Sequence, residues 1–196
     1  MIEKRKGEKN HIENSIKNWK DKKIAFSKEL RNVKVAQTIA QVVAKETQAT
    51  IEYHISELVS LALASIFEVN PYKFSIEFLI KRGKTEAKPY FLRDGEKLSP
   101  MLETGGGAVD IAAFALMVAL WKLSGKERNC IILDEPFRFV SEKLQPKAGK
   151  FLKLLSDELN LQFIIVTHNQ FIVNEADKIF QVSLKKGISK VEAVNG

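Results

Sequence analysis

The sequence predicts an α/β protein with parallel central strands, an antiparallel β-hairpin and a long N-terminal coiled-coil helix. Three observations carry that expectation. No proline or glycine occurs between Lys9 and Asn70, and an apolar stripe of helical period runs through the stretch. Two short apolar runs, starting at Cys130 and Phe163, read as strands of the kind found inside a parallel sheet. Helix-length segments separate the strands, an alternation that marks α/β architecture.

Residues 9–66 read as helix. Ile12, Ile16, Trp19, Lys23, Phe26, Leu30 and Val33 are spaced alternately by four and three. That spacing is the seam of a two-stranded coiled coil, with one charged intruder and with Trp19 placed to pack against a partner strand. From Val35 the stripe widens through Ile39, Val42, Ile51, Ile55, Leu58, Ala62 and Ile66, as on a core helix. The register change near Arg31-Asn32 admits a break there. His54 is expected to be a partly buried structural histidine. Asn70-Pro71 ends the helix. Phe74, Ile76, Phe78 and Ile80 alternate with Ser75, Glu77 and Leu79, giving a half-buried strand. A turn at 81–84, a second strand over 88–92 and another turn at Arg93-Asp94-Gly95 follow. After Thr104-Gly105-Gly106-Gly107 an apolar helix covers 108–123, with Trp121 in the core, and Ser124-Gly125 stops it. A strand at 130–133, a helix at 141–159, a strand at 163–167 and a short helix at 169–175 come next. A hairpin of 178–183 and 189–193, turning at 185–187, closes the order. Cys130 reads as a small buried hydrophobe.

Composition narrows the function classes. Of 196 residues, 45% are hydrophobic and 28% charged, which excludes a disordered polyelectrolyte. The longest apolar run, Ile111 to Trp121, falls short of the roughly 20 residues that cross a bilayer, so no membrane partner is expected. No apolar stretch follows the charges of Met1–Lys6, so no signal peptide is expected. One cysteine excludes an internal disulfide or a cysteine-built zinc site and makes a reducing, cytoplasmic setting the default. His11, His54 and His168 are too scattered for a local metal motif. The net charge of +7 is concentrated: residues 1–34 hold eleven Lys/Arg against five Asp/Glu, and the rest is nearly balanced. Residues 1–34 therefore form a basic helical segment and 35–196 the main body. A basic arm can neutralise nucleic-acid phosphates; a solvated Lys-rich helix face has the same composition.

Three motifs bear chemistry. Asp134 and Glu135 follow the apolar strand Ile131-Ile132-Leu133. In an open α/β sheet ligands bind beyond the carboxyl ends of the strands. Adjacent residues there point apart, so one carboxylate can hold Mg²⁺ through its water shell and the other can act as general base toward water. A turn or helix start would also favour two acids. His168 ends the second apolar strand, and a parallel neighbour would bring it to the same edge, within reach of a terminal phosphate or the attacking water; an exposed or capping histidine is the plainer reading. Thr104-Gly105-Gly106-Gly107 opens a helix, where bare backbone and free N–H groups suit a phosphate, although a glycine loop also simply permits a tight turn.

Taken together, the glycine-rich helix start, the apolar strand into Asp134-Glu135-Pro136 and the apolar strand into Thr167-His168 resemble the second half of an ATP-binding-cassette ATPase. With a coiled-coil helix in front, the chain most resembles the structural-maintenance-of-chromosomes (SMC) group, and within it the SbcC-like and RecF-like DNA-repair ATPases. The closing hairpin, Phe180–Gly187 with Lys190-Val191-Glu192, is similar to the terminal hairpin of that branch. The resemblance implies the C-terminal half of a P-loop NTPase cassette over about 35–196, with 1–34 as one coiled-coil strand. It implies Asp134 as the Mg²⁺ carboxylate, Glu135 as catalytic base and His168 as γ-phosphate sensor. Thr104, Gly105, Gly106 and Gly107 become signature residues contacting ATP held by an opposing subunit. Either Thr104 or Gly105 takes the serine place of the usual signature, and Ala108-Val109-Asp110 departs from the residues that normally follow. Ser141 stands where the family loop usually ends in aspartate.

The pattern Gly-x-x-x-x-Gly-Lys-[Ser/Thr], whose backbone cradles phosphates, appears nowhere. The expectation is therefore a C-terminal lobe. ATP and Mg²⁺ are its cofactors, and it hydrolyses ATP only with a separate N-terminal Walker A lobe. The further expected partners are a second cassette (a homodimer of lobes), DNA and a nuclease subunit, and the expected location is cytoplasmic and nucleoid-associated. The alternative is a non-catalytic DNA-binding or scaffolding module that keeps the cassette fold.

Overall fold

The computed structural model describes residues 2–125 and 128–194. The chain divides into two compact units, 1–50 and 51–196. Helix α1, Ile2–Ile66, runs through Arg31-Asn32 without the break that the register change admits. Within 2–50 its apolar side chains are exposed, Trp19 at 70%.

In the second unit the end of α1 turns inward. Ile55, Val59, Leu63 and Ile66 are buried, whereas His54 is exposed and packs edge-on against Tyr53 at 5.5 Å between ring centroids. The expectation of a partly buried histidine fails because His54 lies beside the buried Ile55 on the solvent side of the stripe. Strands β1, Lys73–Lys81, and β2, Lys84–Arg93, pair antiparallel through a two-residue turn, and β3, Glu96–Leu98, adds a short third strand. Both turns place two consecutive residues at positive φ, Arg82-Gly83 and Asp94-Gly95, the twist-matched geometry of tight hairpins. The triplet Gly83-Lys84-Thr85 copies the last residues of the phosphate-loop pattern, but Phe78 stands where its first glycine would be, and the segment is a hairpin turn. Asn70 Nδ2 donates to Asp94 Oδ1 at 3.0 Å, tying the exit of α1 to the second turn.

Helix α2, Gly106–Ser124, ends on Gly125 in the left-handed conformation (φ 59°). It is the one described helix that length and composition alone would allow to cross a membrane. Here Ile111, Phe114, Ala115 and Val118 are buried in one core with α1, Phe74, Ile76 and Phe91. Trp121 packs partly buried against that core and donates from Nε1 to the Arg128 carbonyl at 3.0 Å.

Strand β4, Cys130–Asp134, pairs parallel with β5, Gln162–Val166, Asp134 facing Val166 in register. A 3-10 turn at Glu142–Leu144 and helix α3, Gln145–Leu159, make the crossover. Among the described residues this sheet has two strands, and one face alone is covered. Ile131, Leu133, Phe163 and Ile165 pack on the core, while Ile132 is 72% exposed and Ile164 and Val166 share its face. The sequence reads both runs as fully buried; parallel strands are normally covered on both faces, but here nothing described covers the second. Helix α4, Gln170–Val173, leads to the antiparallel hairpin β6, Ile179–Lys185, and β7, Ile188–Val194.

Candidate active site

The parallel register carries Asp134 and the end of β5 to one rim. The Glu135 N–H donates to the Val166 carbonyl at 2.9 Å, extending the ladder by one bond, and Glu135 then takes φ 45°. That left-handed conformation is unfavourable for a side-chain-bearing residue and turns the chain sharply into Pro136. Asp134 remains exposed, and by strand alternation it belongs to the open face with Ile132.

The Glu135 carboxylate is held on three sides. Oε1 accepts from the His168 backbone N–H at 3.1 Å and lies 2.7 Å from His168 Nδ1. Oε2 accepts from the Thr167 hydroxyl at 3.1 Å. The His168 side-chain bond lowers the Glu135 pKa below its ordinary value, the Thr167 bond and the His168 backbone N–H adding to it and partial desolvation opposing it. An ionised carboxylate only accepts, so Nδ1 carries the proton in this pair and Nε2 is left for another partner. The imidazole is 89% exposed. Asp134, Glu135 and His168 are thus brought together.

The glycine segment is built differently. Gly105 occupies the N-cap of α2 in extended conformation with no side-chain cap. The Thr104 hydroxyl just before it donates backwards, to the Pro100 carbonyl at 2.6 Å. A Cβ on Gly106 would lie 3.2 Å from Phe139 Cβ, and one on Gly107 3.0 Å from the Phe139 carbonyl oxygen and 3.1 Å from Val140 Cα, whereas Gly105 borders open space. Two of the glycines therefore lie against the loop that follows Pro136, where a Cβ would be tightly placed. Asp110 seals this contact, its Oδ2 accepting from the Phe139 N–H at 3.0 Å. Gly106 and Gly107 thus pack on the loop that leads away from Glu135, and Thr104 and Gly105 precede them on the chain.

Sequence reasoning missed three participants. Asp110 reads from sequence as a dipole partner of α2, but it reaches across to Phe139. Gln145 reads as an ordinary residue inside the helix expected at 141–159; it is instead the first residue of α3 and bonds two carbonyls of the 137–140 loop and also Asn169. Asn169 could have been found, since an asparagine just before a short helix signals an N-cap, and its side chain does accept from the Phe171 N–H at 3.0 Å.

An acidic strand end beside a histidine turn lies where open α/β sheets bind their ligands, beyond the carboxyl ends of the strands. No protein-family model matches the chain. It is 30% identical over 117 residues to the DNA double-strand break repair Rad50 ATPase of Archaeoglobus fulgidus, covering 58% of this chain and 13% of that protein. It is 29% identical over 151 residues to the Rad50 ATPase of Sulfurisphaera tokodaii, covering 76% of this chain and 16% of that protein. The chain thus spans less than a fifth of these relatives' length. Among solved structures, an SMC ATPase from work on ATP-driven dimerization and DNA-stimulated activation matches with TM-score 0.60 and 22% identity, covering 77% of this chain and 89% of that one. An SMC head bound to the C-winged helix domain of ScpA also matches with TM-score 0.60, at 20% identity, covering 74% of this chain and 43% of that one. The fold is that of SMC heads, and in sequence the chain is similar to part of the Rad50 ATPases.

Proposed function

We propose that the chain is the C-terminal lobe of an SMC/Rad50-like ATPase, 1–34 being a basic coiled-coil segment and 35–196 the lobe. It hydrolyses Mg-ATP between two cassettes when a lobe bearing the phosphate loop completes it, in DNA double-strand-break repair or chromosome organisation. The observation that carries this reading is the meeting of Asp134, Glu135 and His168 at the carboxyl ends of two parallel strands. The open face of that sheet supports it, because Ile132, Ile164 and Val166 would be covered by the completing lobe.

Mg²⁺ held beside substrate phosphates needs only one or two protein carboxylates. Exposed Asp134 fits that demand, and among the described residues no cluster of three acidic, histidine or cysteine side chains forms a closed protein cage. Bound Mg²⁺ would supply charge neutralisation at the phosphates. Glu135, ionised at neutral pH, takes the proton of the attacking water; Oε2 accepts the Thr167 hydroxyl and has a second lone pair for that water. His168, fixed through Nδ1, keeps Nε2 available to the γ-phosphate. Thr104, Gly105, Gly106 and Gly107 present the start of α2 to ATP bound by the opposing cassette, Gly105 being the open position. DNA along 1–34, a nuclease subunit and a cytoplasmic, nucleoid-associated location complete the proposal.

In the test, ATP turnover of the chain is measured alone and with a phosphate-loop lobe. Alone it stays at background. In the complex Glu135→Gln lowers kcat roughly 10²–10⁴-fold, the usual worth of a general base, while ATP binding persists; equal turnover by the variant rejects Glu135 as base. A second reading, a non-catalytic DNA-binding module, is favoured by the packing role of Gly106 and Gly107. It takes over if no complementing lobe confers turnover.

A further inference from the structure

The loop after Glu135 and the turn after His168, far apart in chain order, meet at one side chain, and that side chain belongs to none of the motifs. Gln145, the first residue of α3, is partly buried. Its Nε2 donates to the Val140 carbonyl at 3.0 Å and reaches the Phe137 carbonyl at 3.5 Å. Its Oε1 accepts from Asn169 Nδ2. The donor half of the amide thus holds the loop after Glu135, and the acceptor half holds the residue after His168.

Each arm continues to a reacting group of the proposed site. On one side Phe137 and Val140 are buried, Phe139 is fixed to α2 by Asp110, and the loop begins at the strained Glu135 backbone. On the other side the Asn169 N–H donates to Thr167 Oγ1 at 3.0 Å, and that hydroxyl donates to Glu135 Oε2. A primary amide can serve both arms because it carries donors on nitrogen and acceptor lone pairs on oxygen. A carboxylate or an amine cannot.

We propose that Gln145 is a positioning residue: it locks the 137–140 loop to the Thr167-His168 turn and so sets the placement of Glu135 against His168. The inference rests on the reading of Glu135 and His168 as the hydrolytic pair, and it adds a residue to which that reading gives no role. Gln145 acts through Asn169 and the loop and touches no reacting atom.

Amide hydrogen exchange on the whole chain tests the lock without any turnover. Gln145→Leu keeps the volume and removes both arms. Exchange should quicken about tenfold, the worth of a hydrogen bond or two, at Val140 on one side and at His168 and Asn169 on the other, while β1 and β2 are unchanged. Gln145→Glu keeps the acceptor for Asn169 and loses the donor to Val140, so only the loop side should quicken. Unchanged exchange in Gln145→Leu, or quickening on one side only, overturns the lock. In the complemented ATPase, Gln145→Leu should lower kcat about tenfold with KM for ATP unchanged, and Gln145→Asn, too short to span both arms, should not rescue it. A raised KM with kcat intact overturns the positioning role. If the wild-type complex shows no turnover, the hydrolytic reading and the positioning role built on it both fail, and the exchange result alone decides whether the lock exists.

Discussion

The first fifty residues and the last turns of α1 are written in the same apolar pattern and meet opposite fates. Ile16, Trp19 and Leu30 lie exposed, whereas Ile55, Val59 and Leu63 are buried against α2 and the β1–β2 hairpin. The period of the stripe tells which face will be covered; it does not tell whether the cover comes from the same unit. Width does not separate the two regions either: the stripe is already broad at Val35, Ile39 and Val42, the shape expected of a core-facing helix, and these side chains lie exposed like the narrow seam before them.

That contrast can be broken by substitution. Leu63→Ala should cost about 2–5 kcal/mol, as for a fully buried leucine, while Ile16→Ala should stay within about 0.5 kcal/mol in the isolated chain. Denaturant titration measures both, and a comparable loss at Ile16 would mean that the seam is already covered, for instance by a second copy. The charge of the two regions sharpens the comparison. Deleting residues 1–34 should weaken DNA binding and flatten the dependence of log affinity on log salt by about 0.9 for each phosphate that the arm had neutralised. Filter binding at two salt concentrations reads this, and an unchanged affinity assigns any DNA binding to residues 35–196.

The smallest effect lies at the rim, where hydrogen bonds rather than apolar cover do the positioning. Glu135 has a depressed folded pKa, so the support from its donors is fully present above the ordinary value of 4.5 and fades as pH falls through the depressed one. Thr167→Val removes one donor and should move the Glu135 titration part of the way back up, and His168→Ala further, since the His168 bond is the larger cause. Carboxyl-carbon NMR follows both. No upward movement in either variant would show that the rim bonds do not set the charge of Glu135.

Much of this was legible from sequence because the signals are local. Alternation marks β1, Asp94-Gly95 and Arg82-Gly83 mark the hairpin turns, Gly125 marks the stop of α2, and apolar runs ending in Asp134-Glu135 and Thr167-His168 mark the rim. What stayed hidden depends on the meeting of distant segments. The open face of β4 and β5 could not be read, because an apolar run looks the same whether one or both faces are covered. Strand β3 is three residues long and exists through its pairing with β2. The glycines at 106 and 107 carry no hint that Phe139 and Val140 press on them, and the bonds of Asp110 and Gln145 span loops that no period encodes.

Gly149 in α3 has a reach out of proportion to its size. A methyl group there would sit 2.6 Å from the Phe171 carbonyl oxygen, so a larger residue forces α3 or α4 to shift. Asn169 caps α4 and follows His168 directly, so a shift of α4 would reach the histidine. An alanine at a position remote from every motif would retune the rim while leaving each of its chemical groups intact.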